Sequence, residues 1–321
     1  MNGIRVGIMR GGLSGEHDIS LKTGAAVIRN LPERYEPIDV IVDKYGEWFV
    51  NGIATSPGRV LPYLDVVFNA FHGYYGEDGK FQKLLEHYKV PYTGSRVLAS
   101  ALGLNKALTK EVFKREELRT PVYRVVRRRD FTPQTAFHLY KTFPQPSVVK
   151  PSSSGSSLYV HIARDLNTLQ KALEDVLAFS ETAVIEEYIK GREATCGVLD
   201  GFRGKEYYAL PPIEIIPPKE SDFFEYGVKY DGSSQEICPG NFSKEEKQEI
   251  MRMALGAHRG IGARHYSRSD FVVSRRGIYI LEINTLPGLA EECLLPKACA
   301  AIGCSFPQFL DHVLTRALLR E

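Results

Sequence analysis

Asp270, Glu282 and Asn284 bring three oxygen-bearing side chains into a segment that otherwise reads as two apolar strands, SRSDFVVS and GIYILEIN. Residues two apart in a strand share a face, so Glu282 and Asn284 point the same way. A loop of Arg275, Arg276 and Gly277, with glycine third, suits a three-residue hairpin connection. Pairing Ser274 with Ile278 then sets Asp270 opposite Glu282, with Cβ atoms about 5 Å apart. Two like charges there repel, and on an apolar hairpin that is costly. A divalent cation between them removes the repulsion, and Asn284 adds a third oxygen. An all-oxygen set without histidine or cysteine indicates Mg²⁺ or Mn²⁺, ions that commonly accompany nucleotide phosphates. The plain alternative is a solvated hairpin with an acidic outer face. Arg268 falls on the face of Asp270, and a cation beside such a cluster makes more sense if an anion sits there too.

Other segments could hold the phosphates. VVKPSSSGSS places Lys150 at a strand end, followed by a run of serines with one glycine. Such a tip offers backbone N–H groups and hydroxyls to phosphate oxygens. It lacks the G-K-[ST] of a P-loop, and alone it reads equally as a flexible surface loop. In VIEEYIKGRE, Glu186 lies within a strand and Glu193 just after Gly191. A carboxylate at a nucleotide site can accept both ribose hydroxyls, although a charged strand end explains the pattern as well. Lys106 is open to the same two readings, ligand or solvated helix lysine.

The elements that must position these residues follow from periodicity. The first third alternates strand (IRVGIM), helix (ISLKTGAAVIRNL), strand (PIDVIVD), strand (DVVFNAF, ending at His72) and helix (GEDGKFQKLLEHY). Alternation of this kind implies a doubly wound parallel sheet with ligands at the carboxyl ends of its strands. It stops near Arg96. Strands, a helix and a Ser/Gly loop follow, then an α+β C-terminal half in which YALPPIEII reads as one strand and residues 217–239 as a long polar loop. The expected domains are 1–96, 97–182 and 183–321. A chain of 321 residues suits two or three domains. Charged residues make up 25% and the net charge is +2, which gives no reason to expect nucleic acid or a membrane surface. No apolar run reaches the roughly 18 residues of a spanning helix, and the N-terminus lacks the pattern of a signal peptide. Five cysteines without a C-x-x-C pair argue against a disulfide framework or zinc site and for a reducing cytoplasm.

Taken together the chain resembles the ATP-grasp fold and, within it, the D-alanine:D-alanine ligase family. GGLSGEHDISL resembles the family's N-terminal substrate motif, and FHGYYGEDGKFQKLLEHYKVPYTGS its specific HG-x-x-GEDG stretch. VVKPSSSGSS, IEEYIKGRE, KYDGSS, SRSDF and LEINTLPGL follow in the family's order over nearly the whole chain. The resemblance implies ATP-dependent joining of two D-alanine molecules through an acyl phosphate, for a peptidoglycan precursor, by a cytoplasmic homodimer. It implies two Mg²⁺ or Mn²⁺ held by Asp270, Glu282 and Asn284. It assigns Lys106, Lys150 and Lys229 to phosphates, Glu186 and Ile189 to the adenine edge, and Glu193 to the ribose. Glu16 would take the first substrate's ammonium with His72 nearby, and Arg268 and the Gly288 N–H would form an oxyanion hole. Ser156 and Tyr230 would join Glu16 in a triad drawing loop 217–239 over the site as a lid that excludes water. The family usually has serine where Cys293 stands, a position that binds the second substrate's carboxylate. A related ligase with D-serine or another second substrate, and a nucleotide-binding regulator without catalysis, are the alternatives.

Overall fold

The computed structural model describes residues 3–155, 159–218 and 234–319. Its first layer is a five-stranded sheet of order β4-β3-β2-β1-β5. Strands β1 (Ile4–Gly11), β2 (Tyr35–Val42) and β5 (Val66–Asn69) run parallel. A hairpin of β3 (Trp48–Val50) and β4 (Ile53–Thr55) extends the edge, an element not legible in the periodicity. Val6, Ile8 and Met9 of β1 are all fully buried, as a parallel strand covered on both faces requires. One cover contains α1 (His17–Asn30) and the C-terminal helix α10 (Phe306–Leu318). There Val6, Ile8 and Phe68 meet Phe309, Leu310 and Leu314. On the other face Met9, Val67 and Phe71 pack with Trp48 and with Phe81 and Leu85 of α3 (Lys80–His87). A single turn, α2 (Pro57–Val60), leads into β5.

The second layer is an antiparallel sheet of order β6-β9-β7-β8. It contains β6 (Tyr123–Arg127), β7 (Ser147–Pro151), β8 (His161–Ala163) and β9 (Thr182–Glu187). Helices α6 (Pro133–Thr142) and α7 (Leu166–Phe179) cover it. Strand β9 pairs along both β6 and β7, so this sheet continues past residue 182.

The third is a six-stranded antiparallel sheet of order β13-β12-β10-β14-β15, with β11 also on β10. Its strands are β10 (Arg192–Asp200), β11 (Tyr207–Ala209), β12 (Ile213–Ile216), β13 (Gln235–Ile237), β14 (Tyr266–Ser274) and β15 (Gly277–Asn284). Helix α8 (Lys244–Ile261) covers it, opened by a reciprocal Ser243–Glu246 cap and closed by Gly262 at φ +69°. Helices α4 (Val97–Leu104) and α5 (Lys106–Arg115) associate with this same sheet. Val112 and Phe113 share a core with Ile250, Met253, Phe271 and Ile280.

Three local expectations change, the first being that Gln235–Ile237, within the expected loop, form β13 and pair with β12. YALPPIEII is two strands, β11 and β12, pairing with successive stretches of β10. Pro211 and Pro212 stand between them and have no N–H to donate to a ladder. In the β14–β15 hairpin Ser274 pairs with Gly277, not Ile278, so the loop has two residues, Arg275 and Arg276. A bulge then makes up the difference: Phe271 faces Ile280 and Asp270 faces Glu282, leaving Leu281 as the extra residue. Asp270 therefore still lies opposite Glu282.

Candidate active site

A cleft open to solvent lies between the second and third sheets. On its floor the β14–β15 hairpin brings its polar residues together. Arg268 donates to both oxygens of Asp270, from Nε and Nη2 at 3.1 Å each, and Thr195 Oγ1 on β10 donates to Oδ1 at 2.6 Å. Burial opposes the Arg268 charge, but Asp270 and Glu282 outweigh it and hold the guanidinium pKa above its ordinary value. Glu282 Oε2 sits 3.1 Å from Lys106 Nζ. Asn284 pairs with Arg268 across the ladder, and its side-chain oxygen accepts the Leu286 N–H at 2.9 Å. Among the described residues no three His, Cys, Asp or Glu side chains are placed to hold a metal ion. The donor set here is two opposed carboxylates plus an amide. Its chemistry fits a hard cation that prefers oxygen.

The cleft wall toward the second sheet carries a second set of charges. Lys150 Nζ lies 2.8 Å from Glu186 Oε1, and Lys110 Nζ lies 3.1 Å from the same oxygen. Burial works against ionising all three. Glu186 nevertheless stays below the usual carboxylate range because both lysines face it. Lys150 is held above its ordinary pKa by Glu186 and Glu282 against burial, whereas burial lowers the enclosed Lys110 to about 8. Ile189 and Glu193 also line the cleft, as do Ser154 and Gly155 at the base of the serine run. Lys106 Nζ donates to Ser154 O at 2.7 Å, tying helix α5 to that loop.

The first sheet delivers its residues from the carboxyl ends of its strands. β1 ends at Gly11 and Gly12, with φ of +89° and +94°. A Cβ on Gly11 would stand 2.2 Å from the Val42 carbonyl oxygen, so only glycine lets the chain turn there. The turn places Glu16 just ahead of α1. A Cβ on Gly155 would come within 2.8 Å of Glu16 Oε2, and one on Gly73 within 2.6 Å. The Glu16 carboxylate thus lies against both the serine-rich loop and the segment after His72. His72 Nδ1 is 3.0 Å from Leu286 O and its Nε2 is 2.9 Å from Thr23 Oγ1. The Leu286 carbonyl can only accept, so Nδ1 carries a proton, and the Thr23 hydroxyl can donate to or accept from Nε2. Burial also lowers its pKa. Glu77 accepts the Gly73 N–H at 2.7 Å. Burial first, then the charge of Glu16, pushes its carboxyl up to about 8.

Beyond β15 the chain turns through Leu286, Pro287 and Gly288 toward α9 (Leu294–Ala300). Cys293 caps α9 without a side-chain hydrogen bond, and its Sγ would lie 2.8 Å from a Cβ placed on Gly288. Burial pushes the Cys293 thiol up to about 11.

Known proteins match this arrangement along the whole chain. The family model for the D-ala D-ala ligase C-terminus matches residues 112–315, and that for the N-terminus matches 5–61 and 51–95. The chain belongs to the D-alanine–D-alanine ligase family. A D-alanine–D-alanine ligase of Geobacter sulfurreducens is 39% identical, over 98% of this chain and 95% of that one. Another, from Geotalea uraniireducens, is 37% identical over 98% and 96%. Among solved structures, a D-alanine–D-alanine ligase from Bacillus anthracis complexed with ATP superposes with a TM-score of 0.80 at 30% identity, over 99% and 98%. A D-Ala:D-Ser ligase from Enterococcus faecalis superposes with a TM-score of 0.86 at 25% identity, over 98% and 100%. The structural neighbours include D-alanine–D-alanine ligases, and the fold is the ATP-grasp fold of that family.

Within this ligase fold, Lys106, Lys150, Glu186, Ile189 and Glu193 line the same cleft as Arg268, Asp270 and Glu282. Glu16, His72, Gly288 and Cys293 are not among its lining residues. They lie on the side of the first sheet or in the turn after β15. Ser156, Lys229 and Tyr230 lie outside the described residues. Sequence reading did not single out Lys110, Glu77 or Thr195. Lys110 stands one helical turn after Lys106, a spacing that puts both on one helix face. Glu77 sits inside the GEDG motif already quoted. For Thr195 no signal exists, since a threonine in an apolar strand is ordinary.

Proposed function

We propose that this chain is an ATP-dependent D-alanine:D-alanine ligase, forming a carbon–nitrogen bond with release of ADP and phosphate, in the supply of a peptidoglycan precursor. The observation that carries the reading is the cleft itself. It sets a carboxylate hairpin and Arg268 on one wall and Lys106 and Lys150 opposite, in a chain whose relatives across its length are named D-alanine–D-alanine ligases. Lys106 and Lys150 hold phosphate oxygens, Glu186 and Ile189 meet the base, and Glu193 meets the ribose. Asp270, Glu282 and Asn284 would hold Mg²⁺ or Mn²⁺. A divalent ion there supplies charge neutralisation for phosphoryl transfer.

Glu16 binds the ammonium of the first D-alanine and so orients its carboxylate toward the γ-phosphate. Attack by that carboxylate forms a C–O–P link as the bond to ADP breaks. The neutral amine of the second D-alanine then attacks the acyl carbon. The tetrahedral oxyanion is met by Arg268 and the Gly288 N–H, phosphate departs with the C–O electron pair, and the nitrogen gives up its extra proton to the departing phosphate. A homodimer and a cytoplasmic location extend the same reading and rest on family likeness alone.

The choice of second substrate has a competing reading, D-serine. What favours it is Cys293 beside Gly288, with a neutral thiol in the place of a hydroxyl, together with the structural likeness to a D-Ala:D-Ser ligase. Mass spectrometry of products from a panel of D- and L-amino acids with ATP and Mg²⁺ separates the readings. D-alanyl-D-alanine with stoichiometric phosphate is expected. A dominant D-alanyl-D-serine product selects the competing reading. Nucleotide binding without phosphate release from any amino acid would leave a regulator.

A further inference from the structure

Glu186 is shared by two lysines on one oxygen, and only one of them faces the cleft. Lys150 lines it, while Lys110 stands behind the wall, wholly buried. Besides Glu186, the Lys110 ammonium donates to Thr120 Oγ1 at 2.8 Å, and Thr120 in turn donates to the Ile280 carbonyl on β15, also at 2.8 Å. The Tyr123 ring centroid lies 5.6 Å away. Helix α5 thus presents two lysines one turn apart. Lys106 reaches the front of the cleft at Glu282, and Lys110 backs the wall.

A lysine kept only for packing could be replaced by an apolar residue, because burying a charge carries a large desolvation penalty that packing alone does not repay. Charge supplies the reason. Lys150 and Glu186 alone would cancel, and a closed neutral pair has little to offer an anion. Adding Lys110 leaves one net positive charge in a region where all three side chains are nearly inaccessible to water. It also sets an opposite charge 3.1 Å from Glu186 Oε1 from behind, so Lys150 is not needed to neutralise that carboxylate. We propose that Lys110 is a positioning residue for the nucleotide phosphates: it offsets Glu186 from behind the wall and frees the Lys150 ammonium to bind a phosphate oxygen. This rests on reading the cleft as the nucleotide site. The other groups facing Lys110 are Glu186, Lys150 and, farther off, Glu282.

The test is calorimetric binding of ADP and of adenosine to the full-length protein. Removing one buried cation near a phosphate should cost about tenfold in affinity at an effective protein dielectric. Lys110→Met is expected to weaken ADP by about that factor and adenosine by less than twofold. Glu186→Gln also removes a base contact, so the double variant Lys110→Met/Glu186→Gln is compared with Glu186→Gln alone: with no carboxylate left to offset, the two should bind ADP within about threefold of each other. If Lys110→Met does not fold, the comparison moves to the Glu186→Gln background. There a tenfold difference in ADP affinity between Glu186→Gln and the double variant would mean that Lys110 acts on the phosphates directly and not by offsetting Glu186, and would overturn the proposal. Unchanged ADP affinity in Lys110→Met, or adenosine falling together with ADP, overturns the proposal. Failure of the parent protein to bind ADP at all would instead overturn the nucleotide reading of the cleft, and this inference with it.

Discussion

The molecule buries ionisable groups in two places and resolves the cost in opposite ways. In the cleft wall, Lys150 and Glu186 are held in their charged forms because each faces an opposite charge within about hydrogen-bonding distance, while Lys110, lowered by burial to about 8, stays mostly protonated at neutral pH. Around the end of the first sheet, Glu77 and His72 have no such partner in contact. His72 Nδ1 and Glu77 Oε1 are 4.0 Å apart, and both groups shift toward neutrality. The difference matches what each region has to hold. A nucleotide brings several negative charges and needs a cationic surface already formed. An amino acid brings one charge of each sign, and in the proposed reading Glu16 supplies the partner for its ammonium. A second full carboxylate at Glu77 would compete for that role.

The comparison is broken most severely on the charged side. Arg268→Met should lower the rate of dipeptide formation by about 10² to 10³, since losing one oxyanion donor costs roughly 3 kcal/mol. ADP affinity should stay near that of the parent. Steady-state and binding measurements on the same sample check both, and a tenfold loss of nucleotide affinity with normal turnover would reassign Arg268 to the nucleotide. Asp270→Asn and Glu282→Gln should each lower kcat by at least about 10²-fold with the melting temperature little changed. Near-normal turnover in both variants would mean that the hairpin holds no catalytic ion.

On the neutral side the effect is smaller and depends on pH. Glu77 has a folded pKa of about 8 against an ordinary 4.5. Through that window the folded protein keeps a proton that the unfolded chain releases. Stability is therefore lost as pH rises toward 8. The lowered pKa of His72 acts below 6.5 and in the opposite sense, so it drops out above neutrality. Glu77→Gln keeps an oxygen for the Gly73 N–H and removes the titration. Between pH 7 and 8.5 the parent should lose about 2 °C more in Tm than the variant. Equal losses would mean that Glu77 is ionised in the folded state.

The charged side was the more legible in the sequence. Asp270, Glu282 and Asn284 announce themselves because carboxylates at strand spacing in an apolar hairpin need a reason. The predicted pairing of Asp270 with Glu282 holds, yet by a different route. The loop is one residue shorter than expected and the bulge at Leu281 restores the register. Periodicity gives which residues share a face but not where a bulge absorbs a residue, and here Tyr279 and Ile280 are both buried in succession. Lys110 was illegible because a lysine in a helix is exposed by default; only the packing of α5 between two sheets buries it. The β3–β4 hairpin was missed because Trp48–Val50 and Ile53–Thr55 are three residues each, too short for alternation to register.

The smallest effect expected is at Cys293, where the two regions meet. Its thiol abuts Gly288, and Arg268 is close enough to influence it electrostatically. Burial keeps it protonated at ordinary pH. A neutral S–H is a weaker donor than a hydroxyl toward a carboxylate. If this position meets the second substrate's carboxylate, Cys293→Ser should tighten that substrate by on the order of 1 kcal/mol, a several-fold lower KM. The ATP KM should not move, because Cys293 lies outside the cleft lining that carries the nucleotide residues. The competing outcome treats Cys293 as a small apolar residue filling the space beside Gly288. Serine would then leave an underused hydroxyl in a mostly buried place, lower Tm slightly and change neither KM. Varied D-alanine at saturating ATP, with a melting curve on the same preparations, distinguishes the two. An unchanged second-site KM with a lower Tm removes Cys293 from substrate binding. The product panel would then have to locate specificity elsewhere in the turn after β15.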